Sequence, residues 1–253
     1  MSVRFHLLIP ARMASARLPG KPLAMLDGQP LVVRVLQCAL AAGAETVHVA
    51  TDSEAVAAAV AAAGGRFIMT RPDHLSGTDR LAEAAARMNL DDEDIVVNLQ
   101  GDEPLMPSAC LHQVAALLHA DPGAQLATLW LPILDEHEWE DPNVVKVVSD
   151  RYGRALYFSR APIPWPRAGG FQAGRARRHI GLYAYRARAL REWAGLPPAE
   201  LEQLESLEQL RALAAGWRII GAQACAPIPP GIDTPQDLAR LQGRFVKANS
   251  LDQ

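Results

Sequence analysis

The sequence is poor in cysteine, has no long apolar run and carries no excess of positive charge. Each absence removes a class of protein. Only Cys38, Cys110 and Cys225 occur among 253 residues, far apart and odd in number. That excludes a disulfide framework, and without a CxxC spacing it argues against a zinc site. All three read as buried thiols. No stretch approaches the roughly 20 apolar residues that a membrane helix needs. The opening MSVRFHLLIPAR has too short an apolar run for a secretory signal and lacks a small-residue cleavage site, so a cytoplasmic protein is expected. The formal net charge of −3 gives no general affinity for nucleic acid or anionic membrane, because phosphate-driven binding needs a basic surface. No repeat and no linker rich in Gly, Ser and Pro divides the chain. A single domain over residues 1–253 is expected, with an inserted sub-sheet within about 125–190.

What is present is an alternation of short apolar runs with helical patterns. Val3 to Ile9, Thr46 to Ala50, Phe67 to Thr70 and Asp94 to Asn98 read as strands. Leu31 to Ala42, the alanine-rich segment capped by Ser53, and Thr78 to Met88 read as helices. This spacing predicts an α/β fold with a doubly wound, mostly parallel sheet. In such sheets ligands bind beyond the carboxyl ends of the strands. The second half is less regular. Leu126 to Pro132, Val144 to Val148, Ala155 to Phe158, Ile180 to Tyr185 and Ile219 to Ala224 read as strands, Leu196 to Gly216 as one helix, and Thr234 to about Val246 as the last.

The segment after the first strand, Pro10 to Leu23, concentrates Arg12, Arg17, Lys21 and one glycine among prolines. Inward-turned amides with fixed cations suit a polyphosphate. The spacing is not that of a Walker A loop, and a solvated surface loop is the plain alternative. Asp102, in Gln100-Gly101-Asp102-Glu103-Pro104, follows the fourth strand. It is placed either for a turn or for a magnesium ion, which takes one or two carboxylates and fills its shell with water and phosphate. Asp233 precedes Thr234-Pro235, where either residue can begin a helix. Asp52 reads first as a helix cap. In Thr70 to Arg80, small hydrogen-bonding groups precede a helix that Ser76 or Thr78 can cap. Near strands in the second half, Arg160, His179 and Tyr183 suit an acidic, hydroxyl-rich ligand or an interface. On the helix holding Leu201 to Arg211, leucine and glutamate each recur every three residues, so a buried leucine stripe and a solvated glutamate stripe are expected.

PARMASARLPGKPL, TRPDHLSGTDR, VNLQGDEP, DPNVVKVV, ALYFSRAPIPW, RHIGLYAYR, LESLEQLR and GIDTPQDL occur in this order. The ordered set resembles the 3-deoxy-D-manno-octulosonate (Kdo) cytidylyltransferases, also called CMP-Kdo synthetases, from about residue 5 to 242. The resemblance implies a GT-A-like fold, a homodimer, Mg²⁺, and the reaction of CTP with Kdo. It implies that Arg12 and Lys21 contact the CTP phosphates with help from Arg17. Ala11, Ser76, Gly77 and Arg80 would lie around the nucleotide, and Asp102 and Asp233 would hold the metal. Gln100, Arg160, His179, Tyr183, Glu208 and Gln209 would surround the sugar, with the region of about 125–190 serving sugar binding and dimerisation. The nearest alternatives are the same reaction on an amino-Kdo variant or a sialic acid, and a non-catalytic nucleotide sensor. Gln236 stands where the family usually has an acid, and Trp165 to Arg178 is divergent.

Overall fold

The computed structural model describes residues 3–13, 18–74 and 76–245. Arg17 and the expected end of the last helix at Val246 lie outside the described residues. Strand β1 (His6–Ala11) leads through the first loop to a single turn of 3-10 helix at Lys21–Leu23. The small hairpin β2 (Met25–Leu26) and β3 (Gln29–Pro30) then feeds helix α1 (Leu31–Ala41). Next come β4 (Thr46–Thr51), α2 (Glu54–Ala62), β5 (Arg66–Met69), α3 (Gly77–Ala86) and β6 (Ile95–Asn98). Helix α4 (Ser108–Ala120), which the pattern did not predict, precedes β7 (Leu126–Pro132) and the short α5 (Glu136–Glu140). The antiparallel pair β8 (Lys146–Ser149) and β9 (Ala155–Ser159) leads to the long β10 (Arg177–Arg186). Helices α6 (Ala187–Trp193), α7 (Glu200–Glu205) and α8 (Gln209–Ala214), strand β11 (Ile219–Gln223) and α9 (Pro235–Leu241) complete the described chain.

The strand order is β11-β7-β10-β6-β1-β4-β5, with β8 and β9 branching from β10. The pairs β1–β4, β1–β6, β4–β5 and β7–β11 are parallel, and β10 runs antiparallel to both β6 and β7. The sheet is therefore mixed but mostly parallel, with helices on both faces. Alternation along β1 divides the core. Leu7 and Ile9 pack with α1 and α4, while Leu8 packs with α3, α6 and α8 on the other face. All three are fully buried. Each such leucine or isoleucine contributes on the order of 1.5–3 kcal/mol of transfer free energy.

Three expectations are corrected. The predicted helix over 196–216 is two short helices, because Ser206 takes a left-handed conformation at φ 51° and stops α7. In α7 the two stripes are reversed, whereas Leu207 and Leu210 beyond the break are buried as expected. Leu201 and Leu204 are exposed, the latter 79%. Glu202 instead turns inward to Arg211, bonding Nε at 2.8 Å and Nη2 at 2.5 Å. Glu205 accepts from the Ser159 hydroxyl at 2.6 Å and the Arg160 N–H at 2.8 Å. Buried donors elsewhere in the chain need these carboxylates, and an unmet buried donor costs more than an exposed leucine. Finally, Cys110 is buried and Cys38 partly so, but Cys225 is exposed.

Candidate active site

The carboxyl ends of β1 and β6 open onto a cleft of about 410 Å³. The first loop reaches it because Gly20, at φ 67°, turns the chain so that Lys21 begins the 3-10 turn and Pro22 follows in a position that needs no N–H. The Asp102 loop passes over the end of β1 so closely that a Cβ on Gly101 would lie 2.7 Å from the Pro10 carbonyl oxygen. Only glycine fits there. The third segment comes from the far end of the sequence. The Ile232 N–H donates to the Asp102 carbonyl at 2.9 Å, so the two acid-bearing loops are joined through their backbones.

The side chains converge accordingly. Lys21 Nζ donates to Asp102 Oδ2 at 2.6 Å and to Asp233 Oδ1 at 3.0 Å. Thr234, not Asp233, caps α9, since its hydroxyl and the Asp237 side chain exchange hydrogen bonds with each other's backbone N–H. That leaves the Asp233 carboxylate for the cleft. The charges of this cluster reach Glu103 next door. Burial, then the neighbouring Asp102 charge, push the Glu103 carboxyl up to about 8. No cluster of three or more His, Cys, Asp and Glu side chains able to hold a metal occurs among the described residues. A pair of carboxylates is the share of a magnesium shell that a protein usually supplies when phosphates and water supply the rest.

Of the residues expected around the nucleotide, Ala11, Arg12, Lys21, Gly77 and Arg80 line this cleft. Ser76 lies at its edge as the N-cap of α3, accepting from the Asp79 N–H at 3.0 Å. Arg80 is buried and pointed inward, with Nη2 on Asp52 at 2.9 Å and Nη1 on the Thr70 hydroxyl. Asp52 is therefore not the cap of α2; its carboxylate pairs with Arg80. Ser53 caps α2, accepting from the Val56 N–H.

Of the residues expected around the sugar, Gln100 and Glu208 line the cleft. Gln100 donates from Nε2 to the Gly181 carbonyl at 3.4 Å. That carbonyl belongs to an irregularity between Ile180 and Tyr183, where β10 slips register against β7. Such bulges re-aim side chains beside active sites. His179 and Tyr183 flank the bulge with ring centroids 5.3 Å apart. Burial holds the His179 imidazole down to about 3, so it is neutral, and its Nε2 meets the Thr128 hydroxyl at 3.1 Å. The Tyr183 hydroxyl is buried with no hydrogen-bond partner among the described residues. Gln209 is buried at the start of α8. Arg160 stands apart: its guanidinium donates to the carbonyls of Glu205 at 2.7 Å, Pro142 at 2.9 Å and Ser206 at 3.4 Å, which staples the β9 end to α7.

The cytidylyltransferase family profile matches residues 6–219. The 3-deoxy-manno-octulosonate cytidylyltransferase of Xanthomonas campestris pv. campestris is 51% identical over 98% of this chain and 90% of its own length. That of Pectobacterium carotovorum subsp. carotovorum is 51% identical over 97% of this chain and 99% of its own. The chain belongs to the 3-deoxy-manno-octulosonate cytidylyltransferase family. A solved structure of CMP:2-keto-3-deoxy-manno-octonic acid synthetase complexed with CTP superposes on this cytidylyltransferase with a TM-score of 0.89, at 42% identity and over 97% of this chain and 99% of that one. The fold extends further, to 4-diphosphocytidyl-2C-methyl-D-erythritol synthase, with a TM-score of 0.62 at 13% identity and coverage of 95% and 97%.

Two residues of this cytidylyltransferase's cleft region escaped the sequence reading. Glu103 was passed over for its neighbour Asp102, though adjacent acids beside a glycine are a visible signal. Thr78 was read as a possible cap and not as a sugar-side residue, and its partner Glu208 is 130 residues away. No local pattern reveals such a pair.

Proposed function

We propose that the chain transfers the cytidylyl group of CTP to the anomeric hydroxyl of 3-deoxy-D-manno-octulosonate, giving CMP-Kdo and pyrophosphate for lipopolysaccharide biosynthesis. The observation that carries the reading is the convergence of Asp102 and Asp233 on Lys21 at the strand ends. Support comes from relatives, 51% identical, that are named for this transfer.

The anomeric oxygen attacks the α-phosphorus in line. The new O–P bond forms as the bond to the bridging oxygen breaks, and pyrophosphate leaves with that electron pair. The protein forms no covalent bond to substrate; it positions the reactants and balances charge. Arg12 and Lys21 hold the phosphates and offset the charge growing on the departing pyrophosphate. Ala11, Ser76, Gly77 and Arg80 form the nucleotide wall. Gln100, His179, Tyr183, Glu208 and Gln209 form the sugar side, and Arg160 braces it. Asp102 and Asp233 would hold Mg²⁺, which would supply neutralisation of phosphate charge and activation of the attacking hydroxyl.

The reaction belongs in the cytoplasm. No described helix is long and apolar enough to cross a membrane. The working unit is a homodimer, and the exposed Tyr152, Leu156 and Leu204 are apolar surface of the kind a second copy covers. Mixing the protein with CTP, Mg²⁺ and Kdo and following pyrophosphate tests the reading. Release that depends on all three is expected, and release with sialic acid but not Kdo would redirect the substrate assignment.

A further inference from the structure

Thr78 sits between Gly77 and Arg80 on the nucleotide side, yet its bonds run to the sugar side. Its hydroxyl donates to Glu208 Oε2 at 2.7 Å, and its backbone N–H donates to the same oxygen at 3.3 Å. Thr78 is 4% exposed, so water does not compete for these bonds. The N–H belongs to the first turn of α3, where a donor has no partner within the helix and the positive helix end favours a carboxylate. The break at Ser206 is what brings Glu208, at the start of α8, to this position. Among the described residues nothing donates to Glu208 Oε1, and Glu208 lines the cleft.

We propose that Thr78 is a positioning residue for the acceptor sugar. It fixes Glu208 through one oxygen so that the other accepts a hydrogen bond from a sugar hydroxyl. The inference rests on the CTP:Kdo reading above. Two donors on Oε2 remove the rotation that would spread Oε1 over many directions, and a pre-set acceptor binds a hydroxyl without the entropy of ordering it. The same bonds tie the sugar-side carboxylate to the helix that borders the nucleotide.

Thr78→Val keeps the side-chain shape and removes the O–H. kcat/KM for Kdo should fall about tenfold, the size expected for losing a hydrogen bond to a charged group, with KM for CTP within about twofold of wild type. Thr78→Ser should restore Kdo use. Adding Thr78→Val to Glu208→Gln should cost little beyond Glu208→Gln alone, because the two act through one contact. Should Thr78→Val fail to fold by circular dichroism, Thr78→Ala carries the same test. Equal losses for CTP and Kdo, or additive losses in the double variant, would overturn the proposal while the activity stands. A wild-type protein that releases no pyrophosphate overturns the activity reading, and this proposal with it.

Discussion

Lys21 and Lys146 are both enclosed ammonium groups, and their surroundings could hardly differ more. Lys146 is fully buried at the head of β8. Its Nζ donates to the carbonyls of Val144 at 2.6 Å, Arg160 at 2.7 Å and Asp141 at 2.9 Å. Its three protons have three neutral acceptors, and the set is closed. Burial lowers its pKa, but the carbonyl cage satisfies every donor. Lys21 meets two carboxylates instead, in a cleft open to solvent. There the ammonium meets ionised partners at 2.6 and 3.0 Å instead of a closed set of carbonyls. A neutral cage holds a permanent structural cation, whereas two carboxylates at an open cleft are a donor set of the kind that a hard cation and a phosphate can share.

This contrast fails or sharpens at named residues. Asp102→Asn removes half of the acid pair, and kcat should fall on the order of a thousandfold while the circular dichroism spectrum is unchanged. Near-normal turnover at saturating Mg²⁺ would take Asp102 out of the metal site. Lys146→Met leaves three buried carbonyls unmet and should cost about 3 kcal/mol in urea unfolding. If it costs nothing, the closed cage is not structural. Lys21→Ala should lower kcat/KM for CTP roughly tenfold to thirtyfold, and for Kdo far less, because it removes one charge-assisted contact to phosphate. Equal effects on both substrates would contradict a phosphate role.

The smallest expected effect is on pH. His179 is held neutral in the folded state with its pKa lowered to about 3, whereas an unfolded histidine titrates near its ordinary 6.5. The unfolded chain therefore binds the extra proton first. The contribution of the neutral imidazole is intact above the unfolded value and is lost as pH falls below it. Moving from about pH 7.5 to 5.5 should cost roughly 1 kcal/mol through this group, and His179→Gln should flatten that slope in urea titrations at the two pH values. An unchanged slope would mean that His179 titrates freely in the folded protein.

The legibility of the molecule follows the same division. In the parallel half, each strand is a short apolar run closed by Pro, Gly or Asp, so β1, β4, β5 and β6 were predicted to within about two or three residues. Strand β1 runs through Pro10 because its pairing with β6 ends at Leu8, so no ladder partner needs the missing N–H. In the other half, the predicted 196–216 helix broke and its polar stripe turned inward. Period alone cannot reveal that Arg211, Ser159 and Arg160 await carboxylates from the core side. The site divides likewise. Asp102 and Lys21 were suspect from their places after strands, but the choice between cap and ligand at Asp233 was open until Thr234 was seen to cap α9. Arg160, expected at the sugar, spends its guanidinium on three backbone carbonyls.

By itself the sequence determined the α/β layering, the loops that border the cleft and, through eight ordered motifs, the family. These are properties of local period, turn chemistry and motif order, which survive without knowing what lies across the sheet. The tertiary structure decided which carboxylates meet the Lys21 ammonium in the cleft and which are consumed by buried arginine and backbone. That choice depends on groups more than 100 residues apart meeting within hydrogen-bond distance, as Lys21 and Asp233 do across 212 positions.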